Sequence, residues 1–242
     1  MMAVNASVRD DDEAWSHRNE GSLITFVNQQ PHFITMLSNI IKQNFLDIPQ
    51  NSDEYVYYGP WTSVLIKLFD IDEGFTICPQ YQVPVAQGDK DTIDFVVTLV
   101  VKRNKAPIFF LEIKPPKIFD NRSARADTDK QMRRRFHQLY DASPSQLHGF
   151  SVFGTRCCHY SLNKETDNSI APDPIPSNPQ YVTDTAPEEW WTLDILDRTG
   201  YKKFSEVIQY VKGLGQDERK YHVFTHLSSI ADVLVTPTVE RA

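Results

Sequence analysis

No stretch of this chain reaches the roughly 18 consecutive apolar residues that a membrane helix requires, so none of it is expected to span a bilayer. The opening residues, MMAVNASVRDDDEAW, lack the basic-then-apolar order of a secretory signal. Cysteine is scarce. Cys78, Cys157 and Cys158 form no disulfide framework, and the adjacent pair is poorly placed to bridge itself. These absences lead to the expectation of an intracellular protein, cytoplasmic or nuclear, in which the Asn5 and Asn121 sequons go unused. A glycine-rich phosphate loop and a G-x-S-x-G elbow are also missing. His137, His148, His159, His222 and His226 fall at no zinc-ligand spacing, and His159 beside Cys157-Cys158 lacks the second ligand pair of a structural zinc site.

What the chain does contain is ordinary globular material. Its 242 residues are 40% hydrophobic and 24% charged, enough for one sizeable core. The net charge of −7 argues against a surface coated with nucleic-acid-binding groups, but the charge is unevenly spread. Between Lys102 and Tyr140 there are eleven Lys or Arg and four acids, so this segment carries +7 and the remainder −14. A basic segment inside an acidic chain points to a local anionic ligand or, more simply, to a solvated helix face.

Residues 1–20 are polar and acidic, with Trp15 as the one large apolar side chain, and read as a disordered arm. Residues 21–242 read as a single domain. Phe33, Met36, Leu37, Ile40, Ile41 and Phe45 recur at helical spacing. A second helix is expected from about Pro60, with Trp61, Val64, Leu65, Leu68 and Phe69 on one stripe. Strands are expected over Phe75–Val83, Thr92–Lys102 and Pro107–Lys114, separated by turns at Gln87-Gly88-Asp89 and Arg103-Asn104-Lys105. A polar helix follows from Arg122 to Tyr140, then short strands over Phe150–Gly154 and Cys157–Leu162. Residues 163–189 hold five prolines and several acids and form a Pro-rich acidic insert, extended or partly disordered. Trp190-Trp191 anchors the return of the chain, and Phe204, Val207, Ile208, Val211 and Leu214 mark a last helix. The result is an α/β (α+β) domain with a central mixed sheet of about four to five strands flanked by helices.

Two polar intrusions into these strands carry the chemistry. Side chains alternate along a strand, so Glu112 and Lys114 share one face with Ile108 and Phe110, an apolar face that ends in a carboxylate and an amine. Burying such groups without partners costs several kcal/mol, on the order of a lost ion pair, so a metal or an ion partner is expected. A strand-end ion pair is the simpler form of that partner. Asp94 interrupts the neighbouring apolar strand in the same way. Two carboxylates on adjacent strands can hold a hard cation such as Mg²⁺. A lysine two residues beyond the second can orient a metal-bound water or stabilise a phosphate under attack.

The sequence Asp94-(17 residues)-Glu112-x-Lys114, with helices before and after, resembles the PD-(D/E)xK superfamily of restriction-type endonucleases and related nucleases. The resemblance implies a restriction-endonuclease-like core and a Mg²⁺- or Mn²⁺-dependent nuclease acting on DNA or RNA. Asp94, Glu112, the Ile113 carbonyl and an acid from the first helix, Glu54, would be metal ligands, with Asp94, Glu112 and Lys114 catalytic. It also implies a glutamine in the helix after the motif, Gln131 or Gln138, and Arg125, Arg134 and Arg135 near the phosphates. Ile93 stands where the motif's name has proline. Tyr58-Gly59-Pro60-Trp61, Pro79-Gln80-Tyr81 and Gln131-Met132-Arg133 are also similar to uncharacterised proteins of mushroom-forming fungi, over roughly residues 55–215. The alternative reading is a nuclease-fold protein without turnover, serving as a nucleic-acid-binding or protein-interaction module. A homo-oligomer is left open by the sequence.

Overall fold

Local chemistry sets most of the boundaries. The computed structural model describes residues 36–82 and 96–214, which lie within the unit running from Ile34 onward. Helix α1 (Asn39–Leu46) opens at Ser38, whose hydroxyl accepts from the Ile41 N–H. A short 3-10 turn (Glu54–Tyr57) leads directly into α2 (Tyr58–Leu68), which begins two residues before the Pro60 start read from the sequence. Gly74 at φ 84 ends the connection that delivers the chain to β1 (Phe75–Gln82). Strand β2 (Val96–Arg103) and β3 (Ala106–Lys114) are joined through Asn104 and Lys105 at φ 50 and 71, the pair of positive angles that a two-residue hairpin turn of type I′ demands.

Helix α3 (Arg122–Leu139) is capped by Asn121, whose side-chain oxygen accepts from the N–H groups of Ser123 and Ala124. It connects β3 to β4 (Gln146–Phe153), and these two strands are parallel. Strand β5 (Arg156–Asn163) returns antiparallel. On its other edge β5 pairs with two fragments, β6 (Ile170–Ala171) and β7 (Leu193–Asp194). Helix α4 covers residues 198–214. Among the described residues the sheet is thus mixed and seven-stranded, in the order β1-β2-β3-β4-β5-β6 with β7 also on β5. The excess over four to five strands comes from β6 and β7, two-residue pieces too short for any periodicity to reveal. Strand β1 sits at the opposite edge, contains Pro79, and holds Gln80 at φ 46.

Two apolar clusters sandwich the sheet. One gathers α1, α2 and α4 around Trp61, Leu65, Phe109, Leu111, Phe150 and Phe204. The other gathers α3 and the insert around Phe110, Met132, Phe136, Phe153, Tyr160 and Trp191. Phe110 takes the α3 side as alternation requires, whereas Ile108 groups with the α4 side, next to the register shift between Val101 and Lys102. Trp191 is buried and its indole N–H donates to Ser151 Oγ at 3.2 Å, so it anchors the returning chain as expected. Among the described residues no helix is long and apolar enough to cross a membrane.

On the α4 side, His148 Nδ1 and His159 Nε2 lie 3.1 Å apart with the rings parallel, and Tyr210 sets its ring edge-on to His148. Burial pushes both imidazoles down from 6.5 to about 4, and in His148 the charge of His159 adds to this. Both are therefore neutral when folded at pH 7. The unfolded chain takes up protons first as pH falls below 6.5, so stability is lost between there and about 4. At pH 5 the loss is at most about 2 kcal/mol per histidine. Thermal melts at pH 7 and pH 5 are expected to differ by roughly 5–15 °C, and His148→Gln should flatten that dependence. An unchanged slope in the variant would remove the pair as its origin.

Candidate functional site

The site lies at the C-terminal end of β3. The strand is covered on both faces over most of its length, so Glu112 is only 3% exposed while Lys114 emerges at its rim. Alternation turns Glu112 toward α3, where Gln131 Nε2 donates to Glu112 Oε1 at 2.6 Å. Lys114 Nζ lies 3.5 Å from the same oxygen and 3.8 Å from Glu54 Oε2. Arg135 Nε stands 3.9 Å from Glu112 Oε2. The 3-10 turn before α2, the last residues of β3 and the middle of α3 thus bring two carboxylates, one ammonium, one amide and one guanidinium to a single point.

Electrostatics there are tense. Burial raises the Glu112 carboxyl above its ordinary value, and the charges of Lys114 and Arg135 pull it back only in part. Glu112 Oε2 is buried and has no hydrogen-bond partner among the described residues. Tyr58, one helical turn after Glu54, donates its O–H to Glu54 Oε1 at 2.8 Å. Its phenol is held well above the usual range by burial first, then by the hydrogen bond and charge of Glu54 and the charge of Glu112. From sequence, Tyr58 enters only within Tyr58-Gly59-Pro60-Trp61, with no role at the site. The signal that could have found it is the Glu-x-x-x-Tyr spacing just upstream of the first covered helix.

The residues singled out from sequence divide sharply. Glu54, Glu112, Lys114 and Gln131 come together. Ile113 sends its side chain into the α4-side core and its N–H to Thr98 Oγ1 at 3.4 Å, so only its carbonyl could serve as a ligand. Asp94 lies outside the described residues, as do residues 1–20. Gln138 accepts from Arg135 Nη1 at 2.9 Å and so steadies that arginine rather than Glu112. Arg134 is exposed on α3.

Arg125 is placed differently from the expectation of a phosphate contact. It is 1% exposed, and its guanidinium donates to the carbonyls of Phe119 and Ala186 and to the carboxylates of Asp184 and Glu188. Arg135 is likewise buried, at 2% exposure. For Arg125 the reason is the insert. Residues 163–189 are described throughout, and they lie along α3 rather than away from it. Arg133 donates to the carbonyls of Ile170 and Pro172, and Arg125 pins the 184–188 stretch. Much of the basic character of α3 is therefore consumed by the chain's own acidic segment.

The donor chemistry suits a hard divalent cation. Glu54 and Glu112 offer carboxylate oxygens, the Ile113 carbonyl is a third oxygen, and the buried Glu112 Oε2 makes no hydrogen bond among the described residues, with Arg135 Nε 3.9 Å away. Among the described residues no group of three His, Cys, Asp or Glu side chains forms a complete ligand set. No protein-family model matches the chain, and no match is found among curated proteins or solved structures.

Proposed function

We propose that this chain is a divalent-metal-dependent nuclease with a PD-(D/E)xK-type core, hydrolysing phosphodiester bonds of DNA or RNA. The observation that carries the reading is the convergence of Glu54, Glu112, Lys114 and Gln131 from three separate elements, with Glu112 buried and one of its oxygens without a hydrogen bond among the described residues. The succession α2, β1, β2, β3, α3, β4 also follows the helix, three strands, helix, strand order that the resemblance implies. Asp94 is proposed as the remaining carboxylate.

Bound Mg²⁺ or Mn²⁺ would supply Lewis-acid polarisation and a more acidic water. The chain's own groups do the rest. Gln131 fixes Glu112 Oε1, the oxygen nearer Lys114, and so sets the orientation of the carboxylate. Lys114 stands between the two acids, where its ammonium can orient the attacking water or balance charge growing on the phosphate. Arg135 offsets part of the buried negative charge.

The alternative, a nuclease-fold module that binds without turnover, draws on the insert, which occupies Arg125 and Arg133. A cleavage assay decides between them. Plasmid, linear duplex, single-stranded DNA and structured RNA are incubated with Mn²⁺ or Mg²⁺ and wild-type protein, Lys114→Ala or Glu112→Ala, all purified identically. Cleavage by wild type, reduced on the order of 10³-fold in both variants, is the expected result. Undiminished cleavage in both would refute the assignment, and salt-sensitive binding without cleavage would favour the module.

A further inference from the structure

Glu54 sits on a single 3-10 turn with its side chain 39% exposed, a loosely restrained place for an acid that must meet Glu112 and Lys114. A hydrogen bond from Tyr58 restrains it. Tyr58, at the first position of α2, packs its ring partly against the α1/α2/α4 core and gives its O–H to Glu54 Oε1 at 2.8 Å. The other oxygen, Oε2, is the one that faces Lys114. We propose that Tyr58 is a positioning residue for the cation site, holding Glu54 Oε1 so that Oε2 stays turned toward Lys114 and the metal. This inference rests on the metal-site reading above.

The geometry gives Tyr58 one role. The phenol O–H points at Glu54 Oε1, so Tyr58 acts as a hydrogen-bond donor to that carboxylate. Its four-residue offset from Glu54 places the two side chains on one helical face, and the core contact of the ring makes the donor's position a property of the fold. Gln131 plays the matching part for Glu112, so each carboxylate has one oxygen held by a neutral donor, while the other stands within 4 Å of a cationic side chain.

Calorimetric titration of the full chain with Mn²⁺ tests this directly. Tyr58→Phe keeps the ring and removes the donor. It is expected to weaken Mn²⁺ binding about 10-fold, as loss of a hydrogen bond to a metal ligand does, with no change in thermal midpoint. Glu54→Gln should weaken binding at least as much, and the double variant should be no weaker than Glu54→Gln alone, because Tyr58 acts through Glu54. At saturating Mn²⁺, cleavage by Tyr58→Phe should recover most of the wild-type rate. Equal Mn²⁺ affinity in wild type and Tyr58→Phe, or fully additive losses in the double variant, overturns the role of Tyr58 and leaves the metal site standing. Absence of Mn²⁺ binding by wild type overturns both.

Discussion

Glu112→Gln is expected to abolish metal-dependent cleavage, by on the order of 10³-fold or more, while raising the thermal midpoint of the protein. The two effects have one cause. Burial lifts the Glu112 carboxyl above its ordinary value despite Lys114 and Arg135, so the ionised form is less favoured in the folded chain than in the unfolded one. Such a group contributes stability at low pH and loses it as pH rises past the usual carboxylate range. A neutral isostere escapes that loss, and a gain of about 2–4 °C follows for each kcal/mol recovered. Gln can still meet Gln131, and Lys114 retains Glu54 as an ion partner. A buried carboxyl whose ionised form costs stability is a mark of a working site. Calorimetry beside the cleavage assay checks the pair of outcomes. A midpoint lowered by more than roughly 5 °C would show Glu112 to be a structural ion-pair partner instead.

Gly200→Ala is expected to have the largest effect on folding. A Cβ at this position would lie 1.9 Å from the backbone oxygen of Asp194 and 2.7 Å from its carbonyl carbon. No rotamer change relieves a collision with backbone, so the first turn of α4 must lift away from β7. That turn is where the helix docks: Thr155 Oγ1 donates to Asp194 Oδ2, Ile195 N–H to the Thr155 carbonyl, and Tyr201, Phe204, Ile208 and Val211 are buried just beyond. The cost should exceed about 4 kcal/mol, lowering the midpoint by at least about 8 °C or leaving no folded protein to purify. A melt within about 2 °C of wild type would mean that α4 docks differently in solution.

How much of this was legible in the sequence depended on the distance over which each feature is encoded. Alternation along β3 and the turn at Asn104-Lys105 are local, and Glu112 and Lys114 fell where that pattern put them. The start of β4 was missed by four residues, because Gln146, His148 and Gly149 carry no strand preference of their own and are held by β3 and β5 on either side. Gln131 could be named only through a family resemblance, and Gln138, one of the alternatives, proved to serve Arg135. The fate of Arg125 was beyond reach. Its partners Asp184, Ala186 and Glu188 lie some sixty residues away, in a segment whose composition gave no hint that it would fold back along α3.

The outer edge of β1 bears on how the protein behaves when concentrated. An edge strand offers a row of unpaired amides and carbonyls on which another chain can add, the first step toward fibrillar aggregates. In β1 two successive residues depart from regular strand geometry. Pro79 has no N–H to offer, and proline is tolerated in a strand where that missing donor faces away from the neighbour. Gln80, at φ 46, bends the backbone out of the pleat at the next residue. A second chain approaching β1 would thus meet an interrupted ladder at the edge that the described residues form.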